Sequence, residues 1–111
     1  MAVWGLGCVG LGVALGAREA GAAKVVGVDT NPHKFELARA LGCTEFVNPS
    51  ALPAGADGKT PSLQQHLTTA VTDGGFDYTF ECVGNVNCMR VALESCHKGV
   101  LWRYETLIID Y

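Results

Sequence analysis

The chain has 111 residues, 49% of them apolar and 17% charged, enough for one small domain with a hydrophobic core and too apolar for a disordered segment. Its net charge of −3 comes from eight basic and eleven acidic residues with no run of Lys or Arg, which excludes a nucleic-acid surface built on phosphate contacts. The five cysteines (Cys8, Cys43, Cys82, Cys88, Cys96) form no CxxC pair and no zinc-ribbon spacing, so they read as reduced, buried thiols of a cytoplasmic protein.

The opening stretch is apolar, yet it has no basic leader, glycines interrupt it, and Arg18 and Glu19 end it short of the roughly 20 residues of a membrane span. It reads instead as strand, turn and helix. Ala2–Leu6 is a short strand. Val9–Ala20 is a helix expected to meet a sheet through Val9, Val13, Ala17 and Ala20, with Gly21 in the position that ends it. Lys24–Val28 is a β-branched strand ending at Asp29. Asn31 caps a second helix, Pro32 fits its first position, Phe35, Ala38 and Leu41 recur at helical spacing, and Gly42 closes it. Glu45–Val47 is a third strand.

Asn48–Pro61 holds three prolines and two glycines without periodicity and reads as a loop. Ser62 or Thr60 caps a third helix carrying Leu63, Leu67, Ala70 and Val71, broken by Asp73-Gly74-Gly75. Tyr78–Val83 is a fourth strand. Asn87–His97 is a fourth helix with Met89, Ala92 and Cys96 on one face, ended by Gly99. Strands alternating with helices predict an α/β fold: a doubly wound parallel sheet covered on both faces, the Rossmann arrangement. The domain is expected over residues 1–99, with 100–111 as a divergent tail.

Gly5-Leu6-Gly7-Cys8-Val9-Gly10 matches GxGxxG. Gly5 permits a tight turn, Gly7 lets backbone approach a pyrophosphate, and Gly10 lets helix and strand lie close. The helix N-terminus then offers free N–H groups and a positive dipole end to an anion. Asp29 stands nineteen residues after Gly10, at the end of the second strand. A carboxylate there accepts hydrogen bonds from the two hydroxyls of an adenosine ribose and repels a 2′-phosphate, so NAD is favoured over NADP. Lys34, one turn into the second helix, either adds a hydrogen bond to that ribose or is a solvated surface lysine. Thr30 and Val83 follow the second and fourth strands and either flank the adenine or merely end the strands. His33, His66 and His97 lack a second ligand at helical spacing, so no metal site is expected. No nucleophile with an activating base is visible, and the thiols sit in apolar surroundings.

On these residues the chain resembles a known family. The stretch from VWGLGCVG through VDTNPHKFELARALGCTEFVNPS, with FDYTFECVGN and MRVALESCHKG, is similar to the coenzyme domain of zinc-dependent medium-chain alcohol dehydrogenases. The nearest branch is class III, the S-(hydroxymethyl)glutathione or glutathione-dependent formaldehyde dehydrogenases. The resemblance spans about Ala2 to Gly99. It implies that Gly5, Leu6, Gly7, Cys8, Val9 and Gly10 line the pyrophosphate, that Asp29 and Lys34 hold the ribose, and that Thr30, Val83 and Asn85 border the adenine. Cys8 replaces a glycine common in the family, and Thr30 stands where an aliphatic residue is frequent.

After Gly99 the chain reads VLWRYETLIIDY and leaves the family pattern, with Leu107-Ile108-Ile109 as a surrogate strand. The family's zinc ligands, structural zinc lobe and glutathione-binding residues fall outside the match. The resemblance thus implies a fragment of a cytoplasmic, homodimeric enzyme that oxidises a glutathione adduct or an alcohol with NAD. The piece itself is expected to be catalytically inert and to hold no zinc. Two alternatives are a non-catalytic nucleotide-binding module and an S-adenosylmethionine-dependent methyltransferase. The methyltransferase also uses a Gly-rich turn and an acidic residue ending the second strand.

Overall fold

In the computed structural model, which describes residues 1–98, β1 (Ala2–Trp4), β2 (Val26–Val28), β3 (Glu45–Val47) and β4 (Thr79–Glu81) form one parallel sheet in the order β3-β2-β1-β4. Trp4 pairs with Val28 on one side and with Glu81 on the other, which brings the C-terminal ends of three strands level. Every residue of β1 and β2 is buried, as central parallel strands require.

The alternation of side chains along β1 divides the core. Val3 turns to one face, where Leu6, Ala14, Ala17, Val25, Ala38 and Cys43 are buried with it. Ala14 and Ala17 come from α1 (Cys8–Glu19), Ala38 from α2 (Phe35–Leu41), and Leu6, Val25 and Cys43 from the turns beside the strands. Trp4 and Ala2 turn to the other face with Val26, Val28, Val47, Leu67, Phe76 and Ala92. That side is covered by α3 (Leu63–His66), its continuation Leu67–Val71, and α4 (Val86–Glu94). Helices on both faces of a parallel sheet give the doubly wound α/β fold expected from the sequence.

The element ends follow local chemistry. Gly21 (φ 83°) follows α1, where its N–H donates to the Arg18 carbonyl at 3.0 Å and Ala22 N–H to the Ala17 carbonyl at 3.0 Å, a left-handed C-terminal motif. Asn31 accepts the His33 N–H at 3.1 Å and starts a 3₁₀ turn, Pro32–Lys34, that runs into α2. Of the two candidate caps for α3, Ser62 is used: its hydroxyl accepts Gln65 N–H at 3.2 Å while Gln65 Oε1 accepts Ser62 N–H at 3.1 Å.

Four expectations are corrected. Of the residues expected to face the sheet from α1, Ala17 is buried and Val13 packs half-buried against the core, but Val9 is only half-buried, Ala20 is exposed, and the other fully buried positions are Gly10 and Ala14. The smallest residues take the closest approach because the helix lies almost on β1. Ala70 is exposed because Leu67–Val71 opens into a π-turn, with Thr72 N–H reaching Leu67 O at 3.1 Å. The hydroxyls of Thr68, Thr69 and Thr72 also bond to carbonyls in the preceding turn, at 2.9, 2.6 and 2.7 Å, and compete with the α-helical ladder.

The fourth helix starts one residue early and ends three residues early. Asn85 Oδ1 accepts N–H from Asn87 and Cys88, at 2.9 and 3.2 Å, which sets its start. After Ser95 the chain extends, and Cys96 pairs with Phe76 in an isolated bridge and is not on the helix face. Finally, of the five thiols expected to be buried only Cys43 is: Cys82, Cys88 and Cys96 are half-buried and Cys8 is exposed. All five cysteines are free. Gly99 as a terminator and the tail 100–111 lie outside the described residues.

Candidate dinucleotide site

The C-terminal ends of β1, β2 and β4 meet at the Gly-rich turn, where the three glycines stand for different reasons. Gly5 has φ 84°, and a Cβ there would lie 2.8 Å from Val83 Cγ2. A Cβ on Gly10 would lie 1.7 Å from the Gly5 carbonyl oxygen, so the turn closes only without a side chain. Gly7 is exposed, and a Cβ built on it would meet nothing within 4 Å. The fold itself demands Gly5 and Gly10. Gly7 keeps open a space outside the protein, in front of α1. As the N-cap of α1 it offers no side chain to cover the first N–H groups, and no acidic residue occupies the first turn. That combination leaves room, donors and a positive dipole end for an anion, so the chain's residues fit a dinucleotide pyrophosphate.

Leu6 contributes only backbone: its side chain is 1% exposed and packs in the core. Cys8 and Val9 open α1, Cys8 exposed and Val9 half-buried. The Leu6 N–H donates to Asp29 Oδ2 at 2.9 Å, so the turn is already tied to the end of β2. Asp29 also accepts Asn31 N–H on Oδ1 at 2.8 Å and the Lys34 ammonium on Oδ2 at 3.2 Å. Its side chain is 9% exposed against 43% for Lys34. Burial alone would push the Asp29 carboxyl up, but the two backbone donors and the Lys34 charge outweigh it and hold the group below its ordinary value. A carboxylate has about four acceptor positions, and three are engaged here, so one remains directly available and the ammonium of half-exposed Lys34 occupies another. Lys34, left open by its spacing between a ribose contact and a solvated lysine, is half-exposed and paired with Asp29.

Thr30 is exposed just beyond Asp29. Val83 lies across Gly5 with 54% of its surface open, an apolar wall on the β4 side. Asn85 is exposed as well, but its carbonyl oxygen is committed to capping α4. The sequence reasoning missed Glu81. Its Oε1 accepts N–H from Val83 at 2.8 Å and from Gly84 at 2.9 Å, and Oε2 accepts Gly84 N–H at 3.2 Å. The signal was a second acidic residue at a strand end followed by Val-Gly. Only the register with Trp4 shows that it stands level with the Gly-rich turn.

Thiol chemistry is muted near Glu81: burial, with its carboxylate nearby, pushes Cys82 up to about 11, and the same two causes raise Cys88. Among the described residues, no three His, Cys, Asp or Glu side chains gather as a metal ion would need. The family's zinc therefore finds no donor set here, and no step is assigned to it. Among the described residues, too, no helix is long and apolar enough to cross a membrane.

Comparison with known proteins decides the family. The sequence profile of a family described as "Zinc-binding dehydrogenase" matches residues 8–100. The chain belongs to the zinc-binding dehydrogenase family. It is 60% identical over 98 residues to the class-3 alcohol dehydrogenase of Drosophila melanogaster, covering 88% of this chain and 24% of that protein. Among solved structures, 2R,3R-butanediol dehydrogenase from Bacillus subtilis superposes with a TM-score of 0.74 at 28% identity, covering 95% of this chain and 29% of that one. A zinc-binding dehydrogenase from Sinorhizobium meliloti bound to NADP gives 0.69 at 29% identity, covering 88% and 27%. The chain thus spans about a quarter of the length of the relatives it matches. Membership of this family sets aside the methyltransferase alternative, and the Rossmann reading of the fold stands.

Proposed function

We propose that this chain is the cofactor platform of a class III-like zinc alcohol dehydrogenase and holds NAD. The observation that carries this reading is the Asp29 carboxylate. It sits at the end of β2, fixed by the Leu6 and Asn31 amides, beside a glycine turn whose Gly7 leaves open space. In the proposed complex Gly5, Leu6, Gly7, Cys8, Val9 and Gly10 border the pyrophosphate, Leu6 through its backbone alone. Asp29 accepts the ribose hydroxyls, Lys34 turns from Asp29 toward the same ribose, and Thr30, Val83 and Asn85 edge the adenine. Bound NAD supplies the acceptor for a hydride. The chain's own residues bind and orient it.

The reading extends to the whole protein through its likeness to class-3 alcohol dehydrogenases at 60% identity. The substrate is then an alcohol, with S-(hydroxymethyl)glutathione, the adduct of formaldehyde, as the class III candidate, and the working unit is a homodimer. Five free thiols fit a reducing, cytoplasmic setting. The Sinorhizobium meliloti relative is bound to NADP, so cofactor choice needs its own test. A negative, pre-engaged Asp29 disfavours a 2′-phosphate through charge repulsion and loss of its hydroxyl donor. Calorimetric titration of the purified chain should give NAD binding tighter than NADP by tenfold or more, on the order of 1.4 kcal/mol. Equal or tighter binding of NADP refutes the assignment.

A further inference from the structure

We infer that Glu81 is a positioning residue for the cofactor site: its carboxylate clamps the turn after β4 so that Val83 is held against Gly5 as a wall for the bound nucleotide. The inference rests on the nucleotide reading of the site and adds a residue to it. Glu81 ends β4 in register with Trp4, one residue before the Gly-rich turn begins. Its side chain points forward along its own chain and accepts both amides of the following turn, with three contacts of 2.8 to 3.2 Å. Gly84 has φ 81°, a conformation that other residues rarely hold, so the turn is tight and its shape is set by these contacts.

The result is placement of an apolar side chain where an isolated loop would not keep it. Val83 has 54% of its surface exposed, yet its Cγ2 stands so near Gly5 that a Cβ there would approach to 2.8 Å. Immediately after the turn, Asn85 caps α4. The clamp, the wall and the cap are therefore consecutive, and a loose Glu81 side chain would release all three. A glutamate used only for its negative charge would have no reason to accept two backbone amides. Beside a pyrophosphate such a charge would oppose binding, so its benefit must come through geometry.

The experiment compares Glu81→Ala and Glu81→Gln with wild type by NAD titration and by amide exchange measured with NMR. In Glu81→Ala the Val83 and Gly84 amides should exchange faster, while those of Leu6 and Asn31, held by Asp29, stay protected. NAD affinity should fall about tenfold. Glu81→Gln keeps a carbonyl oxygen for the same amides and should recover affinity to within about threefold of wild type. Should Glu81→Ala fail to fold, Glu81→Gln still decides, because a role through charge predicts that it binds NAD more tightly than wild type. Tighter binding by Glu81→Gln, or unchanged affinity in Glu81→Ala with its two amides freed, overturns the inference and leaves the nucleotide reading intact. A wild-type chain that binds no NAD overturns both.

Discussion

Replacing Asp29 with alanine tests the site's architecture before any ligand is added. The substitution removes three hydrogen bonds. The Leu6 N–H is part-buried, since Leu6 itself is 1% exposed, and losing its acceptor costs about 1–3 kcal/mol. The Asn31 N–H is exposed, so water replaces most of what it loses. The Lys34 side chain is 43% exposed, and an ion pair so open to solvent contributes roughly 0.2–1 kcal/mol. The sum is about 1–4 kcal/mol at neutral pH, which in a domain this small lowers the melting temperature by on the order of 5–30 °C.

Urea and thermal unfolding followed by circular dichroism measure it directly. The pH dependence has a definite sign. The folded-state value of Asp29 lies below the ordinary one, so its contribution is present above about pH 4 and disappears as pH falls through that depressed value. The stability gap between wild type and D29N should therefore narrow below about pH 4. A loss under about 0.5 kcal/mol for Asp29→Ala at pH 7, or a gap that widens in acid, would refute the argument. NAD affinity of the variant has to be read well below its own melting temperature, where it should be weaker by about 1–3 kcal/mol.

The glycines give a paired test: Gly10→Ala should cost about 3 kcal/mol or prevent folding because the new Cβ meets backbone at 1.7 Å, whereas Gly12→Ala, exposed in the same helix with nothing within 4 Å, should gain about 0.5–1 kcal/mol by urea denaturation. Ser62→Ala removes one half of the capping box and should cost about 1 kcal/mol in the same assay. Timed alkylation with iodoacetamide, read by mass spectrometry, should label exposed Cys8 before Cys43, which is 3% exposed, and before Cys82, pushed up to about 11. Faster labelling of Cys43 or Cys82 contradicts the burial pattern.

The fold was most legible where one residue type has one job. The third strand, Glu45–Val47, is read to the residue, and Asn31-Pro32 marks the start of the second helix because a side-chain acceptor followed by a fixed φ suits that position. Legibility failed where packing geometry outranks hydrophobicity. Apolar spacing put Val9, Val13, Ala17 and Ala20 on the inner face of α1; Ala17 is buried there, but the other fully buried positions are Gly10, which the glycine motif marks and hydropathy does not, and Ala14. The π-turn at Leu67–Val71 arises from hydroxyls bonding back to carbonyls, a competition invisible to periodicity. At the site, the place of Asp29 at the end of β2 was readable because its spacing from the glycines is fixed along one βαβ unit, whereas spacing left Lys34 open between a ribose contact and a solvated lysine. Glu81 was not, because its relation to Gly5 depends on β4 crossing to the far side of β1.

That crossing sets how the Gly-rich turn is held. β1 is flanked by β2 and β4, and each neighbour ends in a carboxylate that takes backbone amides. Asp29 pulls on the turn directly, through Leu6. Glu81 acts one step removed, by shaping the turn whose Val83 rests on Gly5. The Gly-rich turn is thus braced on both sides by groups that do not depend on the identity of the side chains within it. Glycines alone would leave the turn free to sample many conformations, and ordering it on binding would weaken affinity. With the two carboxylates in place the turn is ordered beforehand, and Gly7, the glycine with open space before it, is left as the point of approach. The two carboxylates should therefore act separately on the empty protein, since they hold different amides, and together on nucleotide affinity, since they brace one turn. In a double-mutant cycle of Asp29→Asn and Glu81→Gln, the losses of stability should add within about 0.5 kcal/mol while the losses of NAD affinity do not. Additive losses of affinity would mean that each carboxylate meets the nucleotide on its own account, and the shared brace would have to be abandoned.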